Sequence, residues 1–287
     1  MSKELKETNT QGLKIIFNGK SKYQKVKRIG GGFCGEIFKV FDTEDKDKKF
    51  YALKFISITN IKDSKLFEED INVKQYEKDI CAMKIIKNKY IIELKENFKD
   101  ELNEGYCIVM ELCNGNLTDI LNKYKPKGLP LNIINKIFYQ LNDALKAMIN
   151  KGFYHRDLKP ENILIKYTDD KKNNFDIKLS DFGFSTNEIG SSNKEHSIAG
   201  TFKYMDPEIE TGVYNNKCDL WSLGVILYKL YTNKYIFYSS DPAEESINRY
   251  KGKMVEKTNN EMINNLISKL IQVDIDKRIK WIKKWKI

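Results

Sequence analysis

Three early stretches of the chain, Val26–Ile29, Glu36–Phe41 and Phe50–Ile58, read as short strand-like runs, and the last alternates with a period of two. In the last of these, Tyr51, Leu53 and Phe55 fall on one face and Ala52, Lys54 and Ile56 on the other. A helical stretch is predicted from about Phe67 to Lys87, then strands at Ile91–Phe98 and Tyr106–Glu111. Together they describe a small, mainly antiparallel sheet with one helix. After Asn114-Gly115 the pattern turns helical. Leu131–Asn150 carries Ile134, Ile137, Phe138, Leu141, Leu145 and Met148 at helical spacing and so presents one buried stripe. Residues 219–231 are apolar nearly all round, which puts that helix in the middle of a helical lobe. A strand pair near 163–166 and 176–179 is joined by the solvated turn Thr-Asp-Asp-Lys-Lys-Asn-Asn. The expected class is α+β, with a β-rich lobe, a hinge at 111–115 and a larger helical lobe from 116 to 287. Residues 1–22 read as an extension, and the β-rich lobe as 23–110.

Composition narrows this picture by exclusion. With 287 residues, 41% hydrophobic and 31% charged, the chain is neither fibrous nor mostly disordered. No run approaches the roughly 18 apolar residues of a membrane span, and residues 1–10 lack the apolar core of a secretory signal. The net charge of +10 is spread over scattered lysines without a nucleic-acid-binding module, so no nucleic-acid partner is expected. Cys34, Cys81, Cys107, Cys113 and Cys218 form no C-x-x-C pair. They read as reduced thiols of a cytoplasmic, or at least intracellular, protein rather than a zinc site or a disulfide framework.

Four motifs carry chemistry. Gly30-Gly31-Gly32-Phe33-Cys34-Gly35 lies between two strand-like runs, where glycines let backbone N–H groups approach phosphate oxygens unhindered by a Cβ. Lys54 lies on a strand face that is otherwise buried, a costly place for an ammonium unless polyphosphate and a carboxylate pair it. His155-Arg156-Asp157-Leu158-Lys159-Pro160-Glu161-Asn162 contains H-R-D-L-x-x-x-N, and Asp181-Phe182-Gly183 follows a hairpin. This set and its order resemble a eukaryotic protein kinase domain of the serine/threonine type, from about Tyr23 to Arg278. Within that family the chain looks weakly like the calcium/calmodulin-dependent and autophagy-initiating groups.

The resemblance implies a bilobal fold that binds ATP and Mg²⁺ and phosphorylates Ser or Thr hydroxyls of a protein substrate. It places Ile29, Gly30, Gly32, Gly35, Ile37, Ala52 and Leu164 around the nucleotide, with Met110 at the back of the pocket. Backbone groups of Glu111 and Cys113 meet the adenine edge, and Lys54 holds the α- and β-phosphates. Asn162 and Asp181 are the implied Mg²⁺ ligands. Asp157 is the implied base, and Lys159 offsets charge on the transferred phosphoryl. The carboxylate partner of Lys54 falls at Asp79, where the family carries Glu. Met83, Leu94, His155 and Phe182 form the implied hydrophobic column, and Asp219 accepts backbone N–H bonds from residues 155–156.

Beyond the catalytic loop, Glu208 is the implied partner of Arg278, and Asp206 stands where the family has Ala. Arg156 reads as an unneutralised guanidinium that a phosphate on Ser197 would satisfy, with Thr201 bonding Asp157 or Lys159. Glu161 offers a carboxylate to a basic residue of the acceptor, although Asn116 stands where basophilic relatives often carry a second acid. Cys34 reads as a tolerated small residue, with redox control as the alternative. Trp281 and Trp285 suggest a shortened last helix. The alternative function is a pseudokinase, a nucleotide-binding scaffold with little turnover; the oligomeric state is open.

Overall fold

The computed structural model describes residues 14–17, 20–32, 35–57, 67–185, 201–211 and 215–280. Ser197, Cys34, Trp281, Trp285 and most of the expected N-terminal extension lie outside them. The chain divides into two compact units, 1–76 with 93–112 and 77–92 with 113–287.

The first unit is built on a six-stranded antiparallel sheet of order β1-β2-β3-β4-β6-β5. Its strands are β1 (Lys14–Phe17), β2 (Lys20–Gly32), β3 (Gly35–Asp42), β4 (Phe50–Ser57), β5 (Leu94–Asp100) and β6 (Gly105–Glu111). The faces of β4 come out as the alternation predicts. Tyr51 and Leu53 join Tyr23, Val40, Phe98, Cys107 and Val109 in one buried cluster, with Phe38 and Phe55 packed against it. Tyr23 stacks on Phe98 at 6.0 Å, and its hydroxyl donates to Glu96. Burial of this phenol, reinforced by the Glu96 charge, pushes its pKa far above the ordinary tyrosine range.

β2 is much longer than the run Val26–Ile29. Its pairing with β3 skips one residue between Lys25 and Lys27 and another between Arg28 and Gly30. The residues left over are Val26 and Ile29, both exposed. The two apolar residues that suggested a short strand are thus the bulged ones, and the bulges break the period that would have revealed its length.

Helix α1 (Phe67–Ile85) follows, and Ile91 does not start a strand as expected. It makes an isolated parallel bridge with Leu179, and the Ile92 N–H donates to the Leu179 carbonyl at 2.9 Å. In the second unit, β7 (Gly115–Asn116), β8 (Ile163–Tyr167) and β9 (Phe175–Leu179) form a small antiparallel sheet. The helices are α2 (Leu117–Lys123), α3 (Leu131–Ile149), α4 (Pro207–Thr211), α5 (Cys218–Thr232), α6 (Pro242–Tyr250) and α7 (Glu261–Leu270). α2 opens on a capping box in which Asn116 accepts from the Asp119 N–H and Asp119 accepts from the Asn116 N–H. Asn116 is therefore occupied as a helix cap.

The apolar segment at 219–231 is α5, buried on every side from Cys218 to Tyr228. Its last turn touches the loop before α3, where the Leu129 N–H donates to the Leu230 carbonyl at 2.6 Å. A Cβ added to Gly128 would land on the carbonyl oxygen of Tyr231. No helix among the described residues is long and apolar enough to cross a membrane.

Glu208, expected to hold Arg278, does not. The guanidinium of Arg278 is bonded to Asp206 through Nη1 and, at 3.4 Å, through Nη2. Nε and Nη2 also donate to the Gln272 carbonyl, and Nη1 to the Lys217 carbonyl. These bonds use all five guanidinium N–H groups, so none is left for Glu208. Asp206, two residues earlier, is fully buried and captures the bidentate position. Burial first, and then the Asp206 charge, push the Glu208 carboxyl above the usual carboxylate range, with Arg278 acting in the opposite sense.

Two substitutions separate these roles in thermal melts. Asp206→Asn is expected to cost about 3–5 kcal/mol, because it strands a buried guanidinium. Glu208→Gln is expected to cost under about 1 kcal/mol. The reverse ranking would return Arg278 to Glu208. Gly128→Ala is expected to lower stability by about 2 kcal/mol or more through backbone displacement, and an unchanged melting temperature would contradict the close approach.

Candidate active site

The sequence after α3 puts a sharp, buried turn where a regular element would be too straight. Asp219, in the first turn of α5, accepts the His155 N–H at 2.8 Å and the Arg156 N–H at 2.9 Å. This is the role expected of it. The two bonds secure Arg156 in the left-handed region, at φ +64°, a conformation that costs a non-glycine residue of order 1–3 kcal/mol. Burial pushes the Asp219 carboxyl above the usual carboxylate range, while His155 and the two N–H bonds act in the opposite direction.

The turn delivers Asp157 into the interior with 2% of its surface exposed. Its two carboxylate oxygens differ. Oδ2 accepts from the Lys159 ammonium at 2.8 Å and from the Asn162 amide at 3.0 Å. Oδ1 is buried and has no hydrogen-bond partner among the described residues. Asn162 also reaches the Asp157 carbonyl at 2.9 Å, so its amide nitrogen is committed twice and its amide oxygen is the atom left to meet a ligand. Asn162 closes a short 3₁₀ turn, Pro160–Asn162, immediately before β8.

The β8–β9 hairpin brings Asp181 to the same end. Ile163 pairs with Leu179, and the Asn162 carbonyl accepts both the backbone N–H and the hydroxyl of Ser180 at 3.0 Å. Asp181 is the next residue, in a left-handed conformation at φ +65°. His155 ties the two segments: its Nε2 donates to the Ser180 carbonyl at 3.1 Å while Nδ1 accepts the Asp157 N–H at 3.3 Å. These partners assign the Nε2–H tautomer. The His155 and Phe182 rings lie 5.4 Å apart, and Met83 is buried in the same unit, so three of the four expected column members are interior. The fourth, Leu94, opens β5 of the first unit.

Asp79 receives the Phe182 N–H on Oδ1, which ties α1 directly to the segment carrying Asp181. That bond leaves no trace in the sequence, because an acid one methylene shorter than the expected Glu gives no hint of its donor. The Arg156 Nε donates to the Phe184 carbonyl at 2.7 Å, a bond to a neutral acceptor that leaves the expected role of a phosphate on Ser197 untouched. The expected hydroxyl contact of Thr201, like Ser197, lies outside the described residues.

In the first unit, Lys54 is buried, with 7% exposed, and stands in register between Ile37 on β3 and Ile108 on β6. Ala52 pairs with Met110, and both are buried. Ile29, expected at the nucleotide, is one of the two bulged residues and is exposed. Gly30 pairs with Ile37 and Gly32 with Gly35. Gly35 has φ +118°, and a Cβ there would strike the carbonyl oxygen of Phe55, so both conformation and clearance require glycine. The Glu111 N–H is taken by the Glu93 carbonyl at 3.0 Å, so a ligand would meet the Glu111 carbonyl. Cys113 and Leu164 are half-buried residues of the second unit, Leu164 on β8.

Asn162 and Asp181 supply two oxygen donors at one hairpin end, a set that fits a hard cation completing its shell with water and phosphate. Among the described residues no three acidic, His or Cys side chains form a metal cage. Mg²⁺ needs only one or two protein donors when phosphate supplies the others.

Comparison with known proteins agrees with this geometry. The family model described as "Protein kinase domain" matches residues 23–285. The chain is 30% identical over 263 residues to "Serine/threonine-protein kinase atg1" of Dictyostelium discoideum, covering 89% of this chain and 37% of that protein. It is 31% identical over 245 residues to human "Serine/threonine-protein kinase ULK1", covering 84% and 22% respectively. For "Calcium-dependent protein kinase 3" of Plasmodium yoelii yoelii the values are 30% over 260 residues, 88% and 44%. The chain therefore spans well under two thirds of these three relatives. With the family model covering nearly all of its length, the chain belongs to the protein kinase domain family.

Proposed function

We propose that this chain is a serine/threonine protein kinase that transfers the γ-phosphoryl of ATP to a Ser or Thr hydroxyl of a protein. The observation that carries the reading is the asymmetric carboxylate of Asp157: one oxygen held by Lys159 and Asn162, the other buried and without a partner among the described residues. A buried acceptor atom without a donor is expensive, and an incoming hydroxyl satisfies it.

Asp157 Oδ1 orients that hydroxyl and takes its proton as the oxygen attacks phosphorus; the bond from the γ-phosphorus to the bridging oxygen breaks, and ADP leaves. Lys159, fixed on Oδ2, keeps its positive charge beside the phosphoryl in flight. Asn162 and Asp181 hold Mg²⁺, which when bound neutralises charge on the phosphate oxygens. Lys54, Asp79 and the nucleotide residues keep the roles that their motif positions gave them. Lys159 supports Ser/Thr acceptors, as does the likeness to serine/threonine-protein kinases. The complete set Lys54, Asp157, Asn162 and Asp181 favours turnover over the pseudokinase alternative.

Purified chain incubated with radiolabelled Mg-ATP and a generic basic protein is expected to transfer label, and Lys54→Met and Asp181→Asn are each expected to lose about a hundredfold or more in rate. Nucleotide binding without transfer by the unmodified chain would replace the kinase reading with the pseudokinase one.

A further inference from the structure

Glu161 lies one residue before Asn162 in the catalytic loop and accepts the Thr118 hydroxyl at 3.2 Å. Taken alone, it offers a carboxylate to a basic acceptor residue. Its surroundings in the second unit reverse that expectation. Tyr235 follows α5, and two ammonium groups sit over its ring, Lys203 at 4.4 Å and Lys229 at 4.2 Å from the centroid. Lys229 also donates to the Asn233 carbonyl at 2.8 Å, which fixes its position. Tyr204 packs edge-on against the same ring at 6.1 Å.

Lys125 joins the group electrostatically. The pKa of Lys229 is lowered first by burial and then by the charge of Lys125, with Lys203 acting in the same sense and Glu161 opposing. Lys203 and Lys229 thus share one ring, with Lys125 and Glu161 acting on Lys229 with opposite sign. Lys203 is solvent-exposed, beside a depression lined by Phe202, Tyr235, Tyr238, Glu245 and Arg249. Like charges held close together are unfavourable until an anion joins them.

We infer that this lysine group recognises an anionic side chain of the acceptor polypeptide, a carboxylate or an already phosphorylated residue, within a few residues of the acceptor hydroxyl. The inference rests on the kinase reading above and names its substrate class. The geometric basis is the ring of Tyr235 shared by Lys203 and Lys229; Glu161, four positions after Asp157, acts on Lys229 electrostatically. An extended acceptor advances about 3.3 Å per residue, so side chains near the phosphorylated position sample this face.

The test is transfer to a peptide series with one fixed Ser and Ala, Glu, phosphoserine or Arg placed at each flanking position. The full chain is expected to favour Glu and phosphoserine over Arg by roughly tenfold or more in kcat/KM at one or more positions, chiefly through KM. The preference is expected to shrink as ionic strength rises. Lys203→Glu, at an exposed site, is expected to erase or invert the ratio, and Lys229→Met to reduce it. Because the readout is a ratio within one enzyme preparation, partial misfolding does not imitate it. Equal use of all peptides, a preference for Arg, or an unchanged ratio in Lys203→Glu would overturn the inference while leaving the kinase reading intact. Transfer to none of the peptides, nor to a generic protein, would remove both.

Discussion

The carboxylate of Asp219, buried in the first turn of α5, holds the backbone of residues 155 and 156, and the rest of the catalytic arrangement follows from that pair of bonds. They maintain Arg156 in a left-handed conformation that a residue with a Cβ adopts at a cost. Because the turn is held, Asp157 enters the interior with only one of its oxygens satisfied by the described residues. His155, in the same turn, reaches the Ser180 carbonyl and ties the loop to the hairpin end that carries Asp181. A buried carboxyl in a helix enclosed on every side thus positions Asp157, the proposed base, without touching it.

A second ion pair works differently. Arg278 and Asp206 are both buried, and the guanidinium uses every donor it has. Such a pair adds little net stability compared with an apolar pairing of equal volume, but its rupture is costly, so it fixes register rather than adding energy. The Asp at position 206 changes which carboxylate does the fixing, and the family pattern gives no warning of that exchange. The consequence is local: Glu208 is relieved of the bridge while the loop ending at Pro207 stays anchored to the residues before Arg278.

Much of this molecule is legible before any coordinates. The alternation at Tyr51, Leu53 and Phe55 gives the true core face of β4, and the all-round apolar stretch at 219–231 gives the most enclosed helix, because burial pattern and period report directly on environment. The catalytic loop is legible because its chemistry demands fixed spacings. The full length of β2 is not, since two bulges interrupt its period and leave Val26 and Ile29 exposed. The acceptor for the Phe182 N–H and the partner of Arg278 depend on distances between residues 103 and 72 positions apart, which no local pattern encodes. The lysines over Tyr235 are hidden for the same reason: Lys203 and Lys229 are unremarkable singly and meaningful only as neighbours.

The central claim is that Asp157 Oδ1 is kept for the acceptor hydroxyl while Oδ2 belongs to the protein. Single-turnover transfer by Asp157→Asn, with ATP affinity measured on the same preparation, tests it most directly. The amide keeps the shape and removes the proton-accepting oxygen, so transfer is expected to fall by about 10²–10⁴-fold with nucleotide affinity unchanged. Transfer at the unmodified rate would contradict the claim.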